Sequence, residues 1–297
     1  YRNILGIVLD KSTEPLKLGG YTIYNFKEHK SLIGSRTKLQ PEAIWNDDDP
    51  KYLIEWKAKA RHFDKAIEIA DEKFEKFEFI LRHIIGRGDH RFEVGINNYS
   101  GMRQQRAYIF SSDGEVSNSY RNVGPIEPIP IGSSYFVDED SGYAKIWKLS
   151  QASSLSKFEK RILLAVEWIG QSIADPSPQS AFIKAAIALE IIFTYSEKSI
   201  INPSILNQIS ESSALILGTT VDERLKIESM VKKLYGLRSS IVHSGNKDIS
   251  AAESANMLDI SRSVLTHILT AKKLQNISSV EGLYKVLKAA KYSGDAI

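Results

Sequence analysis

The chain has 297 residues, 42% hydrophobic and 25% charged, with a formal net charge of +3, the balance of a globular protein long enough for two cores. So weak a positive field excludes bulk charge as a nucleic-acid signal and leaves any attraction for polyanions to local clusters. The absence of cysteine excludes disulfides, thiolate chemistry and cysteine-based zinc sites.

In chain order, the first half holds short β-rich runs at 4–9, 21–26, 52–59, 92–97 and 106–110, bounded by Gly, Asn and Asp turns. Between the third and fourth runs, Ala66, Ile67, Ala70, Phe74, Phe77, Leu81 and Ile84 recur at threes and fours among Lys and Glu, which predicts one helix over 64–85. The expectation for 1–150 is therefore an α+β domain, a mostly antiparallel sheet with one long helix. Residues 111–134, rich in Ser, Asn, Gly and Pro, are expected as a long loop or lid.

From 151 to 297 the pattern is helical. Ser156-Lys-Phe-Glu159 has the form of a capping box ahead of Ile162, Leu163, Val166 and Ile169. Helices are expected at 156–174, 178–196, 222–243 and 250–274, with a shorter piece inside 199–220 and a tail helix at 279–291. Sequential amphipathic helices with short joins pack as a bundle. No run of 18 apolar residues is present, and the first residues lack the basic, apolar and small-residue succession of a signal peptide. A cytoplasmic protein without membrane contact is expected.

The most informative segment is Leu234-Tyr-Gly-Leu-Arg-Ser-Ser-Ile-Val-His-Ser-Gly245, which sets Arg238 and His243 five residues apart near a helix end. At about 100° per residue, Ile227, Met230, Val231, Leu237 and Ile241 fall within about 60° of Leu234 and form the stripe expected to be buried. Arg238 falls inside that stripe and needs a partner, since a guanidinium is costly to bury alone. Residues five apart differ by about 140° and 7.5 Å of rise, so Arg238 and His243 make no dyad on one face of a continuous helix. Either the helix ends before His243, as Gly245 and Asn246 suggest, or a second copy of the chain supplies the missing group.

Spacing alone is a weak signal, because random placement of the arginines and 6 histidines yields roughly 0.8 accidental matches. A second match, Arg262-Ser-Val-Leu-Thr-His267, lies on opposite flanks of a stripe through Met257, Val264, Leu265 and Ile268, and is expected as solvated helix surface. The first match has a partner at hand. The segment AFIKAAIALEIIF, 181–193, is apolar nearly all round and expected at the bundle centre, with Glu190 as one of its two ionisable residues. A Glu190 to Arg238 ion pair would hold the guanidinium in a fixed direction and leave other N–H donors for a phosphate. The same pair serves equally as a lock on helix register.

The run LYGLRSSIVHSG, preceded at about fifty residues by FIKAAIALEIIF, resembles the Apea-like branch of the HEPN family, in which an Ala-Leu-Glu helix precedes a Tyr-x-x-Arg-Ser-x-Ile-Val-His-Gly type segment. The likeness covers roughly residues 150–275; Ser244 stands between His243 and Gly245, where a glycine commonly follows the histidine directly. The resemblance implies a HEPN-like helical bundle at 151–297 acting as an RNase, and a toxin held in check until a phage-derived or small-molecule trigger arrives, as in bacterial antiviral defence. The first domain would then sense a ligand or select substrate.

The residues fit that chemistry. RNA carries its own nucleophile, the 2′-hydroxyl, so cleavage needs proton removal, proton delivery to the leaving 5′-oxygen and charge stabilisation. His243 can serve either proton role, a helix C-terminus favouring the imidazolium form, and Arg238 the electrostatic clamp. Ser239 and Tyr235 can add hydrogen bonds to RNA. A twofold axis would bring two copies of each residue together, so an RNA substrate and a homodimer are the expected partners, with no metal or other cofactor.

Other candidates carry less. His83 and His90 lack chelating spacing and a third ligand, and the acidic clusters 47–49 and 138–140 fit solvated loops. Arg87, Arg91, Arg103 and Arg106, interspersed with Phe92, Tyr99 and Tyr108, can form a stacking and phosphate-binding surface, or simply an amphipathic sheet. No Walker loop or Gly-x-Gly-x-x-Gly is present. The alternative function is a non-catalytic RNA-binding or dimerisation module beside a ligand-sensing first domain.

Overall fold

A computed structural model describes residues 1–9, 14–37, 51–86, 95–96, 103–110, 116–123, 128–132, 134–195, 204–244 and 248–297, with backbone alone at 36–37, 103–110, 116–123, 134 and 243–244. The chain is mixed α+β and divides into two compact units. One comprises 1–78 and 87–136, the other 79–86 and 137–297. The division thus falls at 136/137 rather than near 150, because a helix at Tyr143–Gln151, within a stretch of mixed composition, belongs to the second unit.

In the first unit β1 (Arg2–Asn3), β5 (Tyr52–Glu55), β4 (Tyr21–Asn25) and β3 (Leu16–Leu18) form an antiparallel sheet in the order β1-β5-β4-β3. Its centre is apolar, as strands covered on a face require. Tyr24, Phe26 and Leu53 are fully buried with Ile33 of α1 (Lys30–Thr37). The long helix α2 (Phe63–Ile85) begins one residue before its expected start. Phe74 and Phe77 are buried, the latter with its ring 4.8 Å from that of Tyr21, whose hydroxyl donates to the Lys73 carbonyl at 2.6 Å. Ile67, expected on the buried stripe, is half exposed, since packing starts only at the third turn.

Two expectations for this unit change. The 111–134 segment is not a continuous loop: β6 (Arg103–Phe110) and β7 (Val116–Val123) pair antiparallel from Arg103↔Val123 to Phe110↔Val116. Ser and Asn are poor strand formers, so this strand follows from its cross-strand partner rather than from propensity. β8 (Ile129–Ile131) then pairs in parallel with β2 (Ile7–Leu9), and so departs from the antiparallel pattern. Pro130, with no N–H to donate, is tolerated because each strand of this two-stranded pair keeps a free edge within it. Of the run expected at 92–97 only Gly95 and Ile96 are described, Gly95 bridging to Leu5. Residues 47–49, Arg87, His90, Arg91, Phe92 and Tyr99 lie outside the described residues.

The second unit is helical: α3 (Tyr143–Gln151), α4 (Lys157–Ala174), α5 (Pro178–Phe193), α6 (Ile205–Leu217), α7 (Val221–Ser244), α8 (Ala251–Thr270) and α9 (Val280–Ser293). Serine starts most of them. Ser156 and Ser250 form reciprocal capping boxes with Glu159 and Glu253, and Ser177, Ser204 and Ser279 each accept a backbone N–H of the following turn. As expected, α5 is central. Ala181, Phe182, Ala185, Ala186, Ala188, Leu189, Ile192 and Phe193 are buried, and α4 and α8 pack along it. The last two turns of α2 belong to the same unit and approach Gly170, where a Cβ would lie 2.4 Å from the Phe79 carbonyl oxygen.

Candidate functional site

Arg238 is carried by α7, which packs along α6 and touches α5. Val231, Leu234, Leu237 and Ile241 are buried as the stripe predicts, but Met230 keeps 41% of its exposure and lies at the stripe's edge. The guanidinium meets Glu190 of α5. Nη2 donates to Oε2 at 3.2 Å, while Nε lies 2.8 Å from Oε1 but off the N–H direction, so that second contact is electrostatic. The pair is largely buried, with 23% of the arginine and 20% of the glutamate side chain exposed. Arg238 Nη1 makes no hydrogen bond among the described residues.

The position of Glu190 explains why it needs a cation. It sits in the last turn of α5, where the negative end of the helix macrodipole disfavours a carboxylate. The same helix end is also served by Arg161 of α4, whose Nη1 donates to the carbonyls of Ile191 and Thr194 at 2.9 and 2.8 Å. One arginine takes the carbonyls and the other the side chain.

Tyr235, one turn before Arg238, completes the cluster. Its hydroxyl donates to Glu190 Oε1 at 2.9 Å, and the Arg238 guanidinium lies 5.7 Å from its ring centroid, within cation–π range. Burial pushes the phenol well above its usual range, reinforced by the hydrogen bond and the charge of Glu190 and opposed by Arg238. The hydroxyl proton, expected to serve RNA, is engaged by Glu190 in this structure. Ser239 is partly exposed, and Ser240 Oγ donates back to the Gly236 carbonyl at 3.0 Å.

Helix α7 does not stop before His243. It runs to Ser244, so the arrangement in which the helix ends early and the two residues swing together within one chain is excluded. On a continuous helix their positions stay about 140° apart. Residues 245–247 lie outside the described residues.

The second sequence match resolves differently from its expectation. His267 is exposed, with Nδ1 2.9 Å from the Ser263 carbonyl, but Arg262 is not solvated surface. Its Nη2 and Nη1 donate to the carbonyls of His83 and Gly86 at 3.1 and 3.4 Å, closing the C-terminus of α2. A helical wheel cannot foresee this, since the acceptor comes from 179 residues away. Arg224 has a similar task, donating from Nε to the Gly218 carbonyl behind α6 at 3.0 Å. Arg161, Arg224 and Arg262 thus engage main-chain carbonyls, whereas Arg238 engages a carboxylate.

His83, beside that cap, is fully buried, with no hydrogen bond to either ring nitrogen among the described residues and its ring edge-on to Tyr143. Burial, aided by the charge of Arg262, lowers its pKa to about 3. It is a neutral core residue. Asp138 accepts from the Ser141 N–H at 2.8 Å, a turn contact. Among the described residues no group of three His, Cys, Asp or Glu is placed to hold a metal ion, and no helix is long and apolar enough to cross a membrane. No family model, no curated protein and no solved structure matches the chain.

Proposed function

We propose that the chain is a metal-independent endoribonuclease of HEPN type that works as a homodimer through its helical unit. The single observation behind this reading is Arg238, a guanidinium held by Glu190 at one edge with no hydrogen bond at Nη1 among the described residues. That state suits a clamp for a phosphodiester oxygen. His243 of one protomer and Arg238 of the other would act on one phosphate, since a continuous α7 keeps them apart within a chain. In the reaction the 2′-oxygen attacks phosphorus and loses its proton to a base. The P–O5′ bond breaks, the leaving oxygen takes a proton, and a 2′,3′-cyclic phosphate and a 5′-hydroxyl result. His243 supplies one proton transfer and its symmetry copy the other; Arg238 neutralises charge on the phosphorane. Ser239 is assigned to the rim of the site, and Glu190 and Tyr235 act through Arg238.

A role as a triggered antiviral toxin rests on the family resemblance alone. The test is cleavage of RNA in EDTA, with the ends identified chemically. His243→Ala should abolish cutting while leaving the melting transition in place, and retained cutting would exclude the proposed role. A second reading, a non-catalytic module that binds RNA or dimerises, is favoured by the fact that the Glu190–Arg238 pair also joins α5 to α7 and so has a structural use. RNA affinity without product, unchanged by His243→Ala, would establish it.

A further inference from the structure

Glu190 ends in a soft torsion. The carboxylate of a glutamate turns about χ3 in a broad, roughly twofold well, so an arginine paired to it alone inherits that freedom. In this protein the torsion is held from a second side, because Tyr235 donates its hydroxyl to Oε1, the oxygen that faces Arg238 Nε, while Oε2 accepts from Arg238 Nη2. The tyrosine stands three residues before the arginine on α7, the spacing at which helical side chains meet. Its ring therefore lies beside the guanidinium, 5.7 Å from centroid to Cζ. A single side chain thus restrains the ion pair twice, through the anion by a hydrogen bond and through the cation by its π face.

We propose that Tyr235 is a positioning residue, which fixes the Glu190 carboxylate plane and thereby the direction in which Arg238 presents Nη1. This inference rests on the proposed role of Arg238 for its catalytic consequence, but its structural content does not. The groups involved leave little alternative use for the hydroxyl: Tyr235 is buried to 8% exposure, its O–H donates to a carboxylate, and a raised phenol pKa keeps the proton on the phenol oxygen. It is neither a general acid nor an RNA contact in this state. Truncating the hydroxyl leaves the ring and the buried area almost intact, so the conservative variant isolates the hydrogen bond.

The experiment compares wild type, Tyr235→Phe and Glu190→Gln of the full chain by two readouts. The first is the Arg238 Nε–Hε cross-peak in a ¹H–¹⁵N spectrum, assigned by its loss in Arg238→Lys. In wild type it should be displaced from the free-arginine position, and in Tyr235→Phe it should move toward that position with exchange against water faster by about tenfold, as for one lost hydrogen bond to a charged group. The second is RNA cleavage, where Tyr235→Phe should lower kcat about tenfold with KM little changed, the mark of lost aim rather than lost binding. If the cross-peak moves but wild type cuts no RNA, the clamp stands and the nuclease reading fails. If wild type cuts RNA and Tyr235→Phe alters neither the cross-peak nor kcat, the positioning role is overturned and the nuclease reading stands.

Discussion

Arg238 Nε lies 2.8 Å from Oε1 of Glu190, across the contact between α7 and the last turn of α5. That relationship joins two segments 48 residues apart in sequence, and it places a cation where the α5 macrodipole calls for one.

Breaking this pair from either side should destabilise the helical unit unequally. Arg238→Ala leaves a carboxylate at a helix C-terminus and should cost about 2 kcal/mol, less than for a fully buried pair because both groups keep about a fifth of their exposure. Glu190→Met combined with Arg238→Met should recover most of the loss. Urea unfolding of the cycle checks both, and equal melting of Arg238→Ala and wild type would remove the pair from the stability account.

Because α7 continues through His243, a site that takes one histidine from each protomer should fail when either chain is defective. Refolded together from equal amounts, wild-type and His243→Ala chains should retain about a quarter of the wild-type RNA cleavage, since only the wild-type homodimers keep both histidines. Retention of about a half would show that each histidine acts without its symmetry copy.

His83 should make stability depend on pH. Its folded pKa is lowered to about 3 from 6.5, so above 6.5 both states are neutral and its contribution is flat. As pH falls below 6.5 the unfolded chain takes up a proton that the folded chain refuses, and stability declines by about 1.4 kcal/mol per pH unit toward the folded pKa. His83→Phe should flatten the slope between pH 6.5 and 5, where few carboxylates titrate. An unchanged slope would mean that another group is responsible.

Gly86 and Arg262 should be coupled. Gly86 has φ +69°, and a Cβ there would lie 2.1 Å from Arg262 Nη2. Gly86→Ala should therefore cost more in wild type than in an Arg262→Ala background, where only the backbone strain of about 1 kcal/mol remains. Arg262→Ala alone should cost about 1 kcal/mol through the lost cap. Additive thermal or urea data would contradict the contact.

Much of the molecule was legible from periodicity. The α7 stripe, the all-apolar α5 and the Ser156 capping box follow from local rules that a linear chain states directly, and the demand that a buried Arg238 find a carboxylate led to Glu190. What the chain could not state was where long side chains end. Arg262 shares the arginine–histidine spacing of Arg238, yet its Nη2 and Nη1 donate to the carbonyls of His83 and Gly86. Tyr235 turns inward to Glu190, and the Ser- and Asn-rich β7 is a strand because β6 lies beside it.

The sequence by itself determined most helices of the second unit, their buried faces and the need for charge pairing, because hydrophobic spacing and the cost of burying a lone charge act within a few turns. Only the tertiary structure decided which arginine meets a carboxylate rather than main-chain carbonyls and that α7 carries His243 without a break. Those outcomes depend on acceptors brought from distant segments, whose positions no local pattern encodes.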